Sequence, residues 1–134
     1  MIKGLWNYAV KVDNLDKTVE FYTSHMGAEL RISSKVLGCN YRLIRLGQTR
    51  VIFFDKAPYE KEWGWNLPLG FLHAVYEVDD FEEAVSQVKK SEVKFLMEPQ
   101  LLKADFGVRK FAFFEAPDGI RTEIMQVIED SGKA

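Results

Sequence analysis

The sequence predicts an α+β fold built from two βαβββ modules in one domain covering residues 1–134. Two observations predict it. The stretch NYAVKVDNLDKTVEFY from Asn7 aligns without a gap on HAVYEVDDFEEAVSQV from His73, an offset of 73 − 7 = 66 positions. Each copy reads as an alternating apolar strand, an Asx-rich break and a helix with one apolar face, and three further strand-like runs follow it. A length of 134 residues suits a single domain. Its first module spans about residues 4–55, a connection 56–69 and the second module about 70–129.

In order, residues 7–12 alternate as a strand, and Asn14 stands where it can cap a helix whose apolar face carries Leu15, Val19, Tyr22 and Met26. AELRISSKV, YRLIRL and TRVIFF follow as strands, broken at Gly38 and at Gly47-Gln48. The connection holds Pro58 and Pro68 with Trp63 and Trp65, and its Trp content predicts that it packs against something. In the second module Asp80 caps a helix with Phe81, Ala84, Val85 and Val88 on one face. VKFLM, VRKFAFF and IRTEIMQVI complete the set, separated by a loop over 98–107 and the turn Ala116-Pro117-Asp118-Gly119. From Asp130 the chain reads as a frayed tail.

Composition excludes several function classes. A net charge of −2 with interspersed signs argues against nucleic acid. No apolar run is long enough to span a membrane, and MIKGLWNYAV lacks the layout of a signal peptide, so a cytoplasmic chain is expected. A single cysteine, Cys39, forms no internal cross-link and has no neighbouring histidine to activate it. Nucleotide loops, HExxH, CxxC and GxSxG turns are lacking. With only His25 and His73 as imidazoles, any metal site must lean on carboxylates, amides or water. His25, near a helix end, reads as a surface residue in the helix dipole.

VKVDNLDKTVEFYTSHMGAEL, HAVYEVDDFEEAV and FFEAPDGIRTEIMQ, in this order and at this spacing, resemble the opening strand and helix, the fifth strand and the closing hairpin of the vicinal oxygen chelate superfamily. That superfamily includes glyoxalase I, methylmalonyl-CoA epimerase, extradiol dioxygenases and bleomycin-binding proteins. The resemblance implies a curved mixed sheet forming a cup, a small-molecule site on its concave face, and a homodimer. It also implies four corner positions at which metal-using members hold one divalent ion (zinc, iron, manganese or nickel) with His or Glu.

Strand alternation lists the residues that face such a cup. If Val10 and Val12 pack on the helices, then Asn7, Ala9 and Lys11 point inward, and by the repeat so do His73, Val75 and Glu77. Arg121, Glu123 and Met125 share that face, and aligning TRVIFFD with RTEIMQ puts Ile52 under Glu123. The corners are therefore Asn7, Ile52, His73 and Glu123. His73 and Glu123 are the expected metal ligands, with the Asn7 amide as a weak third, and Ile52 cannot ligate. An acidic Glu123 in a buried strand needs a metal, a cation or a donor, and Arg121 or Lys11 would serve as an internal ion-pair partner. Glu77 and Glu123 are the candidate catalytic carboxylates, Glu77 as general base. Lys11 and Glu77 are equally placed to pair with each other. Asn7, Lys11, Trp63, Trp65, Phe111, Phe113, Arg121 and Met125 are the expected substrate contacts, the aromatic ones equally readable as core. Two functions remain: a metal-assisted lyase, isomerase or oxygenase acting on a small molecule, and a metal-free small-molecule binding protein of the bleomycin-resistance type.

Overall fold

The computed structural model describes residues 1–64 and 66–134. Eight strands form one curled mixed sheet: β1 (Ile2–Lys11), β2 (Glu29–Val36), β3 (Cys39–Leu46), β4 (Thr49–Phe54), β5 (Gly70–Val78), β6 (Phe95–Ala104), β7 (Gly107–Ala116) and β8 (Ile120–Asp130). The spatial order is β2-β3-β4-β1-β5-β8-β7-β6. Helices α1 (Leu15–His25) and α3 (Phe81–Lys90) occupy equivalent places in the two halves, and a single turn, α2 (Glu60–Trp63), lies between them.

The repeat is carried into the hydrogen bonding. β1 pairs parallel with β4 and β5 parallel with β8, while β1 and β5 pair antiparallel at the centre and join the halves. Asn14 accepts from the Lys17 N–H and Asp80 from the Glu83 N–H, so both helices start on the expected caps. Met26 is the exception on the first helix face. The helix stops at His25, leaving Met26 exposed.

Strand parity sorts the core into three clusters. Ala9, Tyr41, Leu43, Ile52, Val75, Phe111, Phe113 and Met125 pack inside the curl. The intervening residues Tyr8, Val10, Ile44, Val51 and Phe53 meet α1, and Ala112, Phe114 and Ile124 meet α3. Asn7, Ala9 and Lys11 are therefore on the concave face, as the alternation requires. Local irregularities add to it: the β1/β5 register slips between Ala9 and Val10, and Leu72 joins the concave cluster alongside His73 and Val75.

Two segments differ from expectation. Residues 98–104 are strand rather than loop, because β6 is the sheet's edge, where Pro99 costs no central ladder bond, and an irregularity between Met97 and Gln100 absorbs it. The tail beyond Asp130 is held, not frayed. The Ser131 N–H donates to the Phe106 carbonyl, Arg31 and Arg45 donate to the carbonyls of Lys133 and Ala134, and Ala134 is buried in the concave cluster.

The β6–β7 turn supplies a stability test. Gly107 has φ +123°, and a Cβ there would collide with the Glu129 carbonyl. Gly107→Ala is expected to cost about 3 kcal/mol from strain and overpacking, read as a lower urea midpoint.

Candidate functional site

Asn7, Ile52, His73 and Glu123 converge on one cavity at the junction of the halves. The pairing explains this: Ala9 lies opposite both Ile52 and His73, and Val75 lies opposite Glu123. Ala9, without a long side chain, leaves the space that the imidazole fills. Phe111, Phe113, Val75 and Met125 wall the cavity, so Phe111 and Phe113 of β7 and Met125 of β8 line it. About 50 Å³ is open there to the centre of a water molecule. A neighbouring groove of about 910 Å³ runs along α2 and shares Leu37 and Pro58 with the cavity wall.

His73 is 1% exposed, with Phe113 edge-on against the ring. Its Nε2 lies 3.4 Å from Glu123 Oε2, and its Nδ1 lies 3.0 Å from the Tyr59 hydroxyl. Burial pushes the Tyr59 phenol well above its ordinary range, with Arg121 only partly opposing it, so Tyr59 stays protonated and acts as a donor. The single Tyr59 O–H proton has two acceptors in reach, His73 Nδ1 at 3.0 Å and the Leu72 carbonyl at 3.4 Å. Donated to Nδ1, the shorter contact, it leaves the imidazole proton on Nε2, on the side of the Glu123 carboxylate. In that tautomer the ring turns its N–H toward Glu123, and the rest of the carboxylate faces the cup as an acceptor. The half-buried Glu123 carboxylate has the His73 ring as its nearest charged or polar neighbour, 3.4 Å away, rather than Arg121 or Lys11.

Those two cations are committed elsewhere. Arg121 donates from Nε to the Leu72 carbonyl at 2.8 Å and from Nη2 to Phe71 at 3.3 Å. Lys11 Nζ is buried against Glu60 Oε1 at 2.7 Å and the Leu67 carbonyl at 2.6 Å, which ties the connection to the end of β1. Neither pairs with Glu77. The Glu77 carboxylate faces Lys3 at 3.5 Å and does not line the cavity, which removes it as the general base. It stands four residues beyond His73, roughly 13 Å along an extended strand. Trp63 lies behind the site, its ring 5.8 Å from that of Tyr59, and is not part of the cavity wall. Trp65 lies outside the described residues.

The donor set does not fit a resident catalytic transition metal. His73 and Glu123 supply one imidazole and one carboxylate. Ile52 has no donor, and Asn7, whose amide nitrogen donates to the Tyr8 carbonyl at 3.2 Å, offers only a neutral amide oxygen. Among the described residues no group of three or more His, Cys, Asp or Glu is placed to hold an ion, whereas such sites use three protein ligands.

Sequence reasoning missed Tyr59, Trp6 and Arg109, all at or against the cavity. Arg109 has the same strand parity as Phe111 and Phe113, a usable signal. Trp6 reaches the concave side through a register slip between Leu5 and Asn7, and Tyr59 sits in a segment with no periodicity to read.

Comparison with known proteins agrees with this architecture. Residues 5–124 match the family described as Glyoxalase/Bleomycin resistance protein/Dioxygenase superfamily. A probable lactoylglutathione lyase of Synechocystis sp. is 26% identical over 120 residues, 87% of this chain and 90% of that protein. A lactoylglutathione lyase of Neisseria meningitidis is 28% identical over 122 residues, 87% of this chain and 86% of that protein. Among solved structures, a Streptomyces coelicolor methylmalonyl-CoA epimerase in complex with 2-nitronate-propionyl-CoA superposes with a TM-score of 0.76 at 17% identity, covering 96% of this chain and all of that one. No helix among the described residues is long and apolar enough to cross a membrane. With the eight-stranded curl, its two βαβββ halves and the family match over nearly its whole length, the chain belongs to the glyoxalase/bleomycin resistance protein/dioxygenase superfamily.

Proposed function

We propose that this chain is a small-molecule enzyme of the superfamily that moves a proton at a carbon next to a carbonyl, a reaction of the lyase or isomerase type. One observation carries the reading: a buried His73 beside a half-buried Glu123, with Tyr59 behind the ring, at the wall of the cavity where the four corners meet. Glu123 is the base. His73 Nε2–H steadies the carboxylate and stands ready to donate to a developing oxyanion, and the aromatic wall keeps water from competing. The cavity takes the reactive end of a ligand, while the adjoining groove, in the size range of a metabolite site, takes the remainder. The lyase and epimerase names of the relatives support this reaction class.

Because the donor set is incomplete, no step is assigned to a metal. Protein purified without chelator is expected to carry no stoichiometric metal, and added Mn²⁺, Fe²⁺, Ni²⁺ or Zn²⁺ to leave the melting temperature unchanged. One ion per chain, lost in His73→Ala and Glu123→Ala, would restore the metal-assisted reading. A cytoplasmic homodimer is part of the proposal, supported by the exposed apolar Leu5, Leu69, Phe71 and Ile120. A solution mass of 15.5 kDa would remove the dimer.

The test is hydrogen exchange in D₂O. Ketones, 2-oxo acids and thioesters are incubated with protein, and loss of the proton next to the carbonyl is followed by NMR. Catalysed exchange of at least one class is expected. Ligand binding without any exchange would favour the second reading, metal-free sequestration, which the apolar wall and the Asn7 and Ile52 corners support.

A further inference from the structure

One buried charge at the cavity wall is left unused by this chemistry. Arg109 is 3% exposed and lines the same cavity as His73 and Glu123. Three of its five N–H groups donate to the backbone carbonyls of Phe106, Val108 and Glu129, and the other two have no protein acceptor among the described residues. A second guanidinium stands beside it. Arg50 and Arg109 both lie over the Trp6 ring, 4.1 and 5.2 Å from its centroid, and Trp6 also lines the cavity. Arg50 Nε is buried without any hydrogen-bond partner.

Among the described residues neither arginine forms an ion pair with a carboxylate. Asp130 and Glu77 act on both only from beyond that range, as Glu123 does on Arg109, and Arg45 repels Arg50. Burial disfavours the charged form of each. Two guanidiniums, Arg109 buried and Arg50 half-buried, share one indole with no carboxylate in ion-pair range, an arrangement that favours an added anion. Planar guanidiniums match carboxylates in two-point contact.

We infer that the cup takes a small carboxylate, its anionic group held by Arg109 beside Trp6, with the positive charge of Arg50 on the same indole acting from outside the cavity wall, and its neighbouring carbon turned toward the His73–Glu123 pair. The inference names the substrate class for the proposed site and rests on reading the cup as a small-molecule site. It needs no particular reaction there.

Phenylacetate and its neutral counterpart phenylacetamide are the probes, titrated against the full chain while the Trp6 indole N–H resonance is followed. The assignment comes from Trp6→Phe. Phenylacetate is expected to bind at least tenfold more tightly than phenylacetamide. Arg50→Gln, which spares the carbonyl bonds that Arg109 gives to the fold, is expected to weaken the carboxylate at least fivefold and leave the amide unchanged. Equal binding of the two probes, or an Arg50→Gln chain that holds phenylacetate as well as wild type, overturns the inference while the cup remains a ligand site. Binding of neither probe overturns both. Tight carboxylate binding with no exchange of any carbon acid upholds the inference and removes the proposed reaction.

Discussion

Lys11→Met is expected to lower the free energy of unfolding by about 3–5 kcal/mol, the cost of stranding one charge of a buried pair. Lys11 and Glu60 are both more than nine-tenths buried, and the pair spans 49 positions of sequence. Glu60 Oε1 accepts from Lys11 Nζ at 2.7 Å and from the Leu67 N–H at 2.6 Å, while Oε2 accepts from the Ala57 N–H at 3.1 Å. Methionine matches the aliphatic stem of lysine, so the loss is electrostatic rather than a cavity. It leaves a carboxylate held by two backbone amides without its cation. Glu60→Leu instead orphans those two amides and leaves the ammonium without its anion, holding only the Leu67 carbonyl, and the double variant still leaves the amides unpaired. Urea denaturation of both singles and the double is therefore expected to show non-additive losses, with the double less destabilised than the sum. Additive losses would mean that the pair does not act as a unit. The same variants loosen the connection that carries Tyr59, so they should also reduce exchange activity.

Glu123→Gln is expected to reduce catalysed carbon-acid exchange by about 10²–10⁴-fold, the range of a general base, with little change in melting temperature. Glutamine keeps the shape and still offers an oxygen to the His73 ring, so the packing around the imidazole survives. What it loses is the ability to take a proton. Tyr59→Phe keeps the ring against Phe113 and His73 but removes the donor at Nδ1. Its role is positioning, so a loss of about tenfold is expected, accompanied by a change in the His73 tautomer that a purely structural role would not produce. If Glu123→Gln exchanges as fast as wild type, Glu123 is not the base.

The concave face was legible in the sequence because strand parity repeats every two residues and the 66-residue offset carries it from one half to the other. Asn7, Ile52, His73 and Glu123 follow from that parity and from the hairpin alignment, and the structure brings them to one cavity. What parity does not supply is the partner of each side chain. Lys11 has the expected face, but its carboxylate comes from Glu60 in the aperiodic connection rather than from Glu77 on a strand. Tyr59 was hidden for the same reason: its burial against His73 depends on where an irregular segment lands. Register slips near Trp6 and Leu72 add side chains to the concave face that strict alternation assigns to the other one. Glu77 shows the limit along the strand, since a shared face does not mean a shared site.

The orientation of the His73 ring proton tests the proposed proton-transfer pair most directly. Long-range ¹H–¹⁵N spectra of the wild-type chain distinguish a protonated Nε2 from a protonated Nδ1. The expected result is a neutral imidazole with its proton on Nε2, shifting toward the other tautomer in Tyr59→Phe. A neutral ring protonated on Nδ1 in the wild type, leaving the Nε2 lone pair toward Glu123, would contradict the assignment of Glu123 as base and return Nε2 to the role of base or metal ligand.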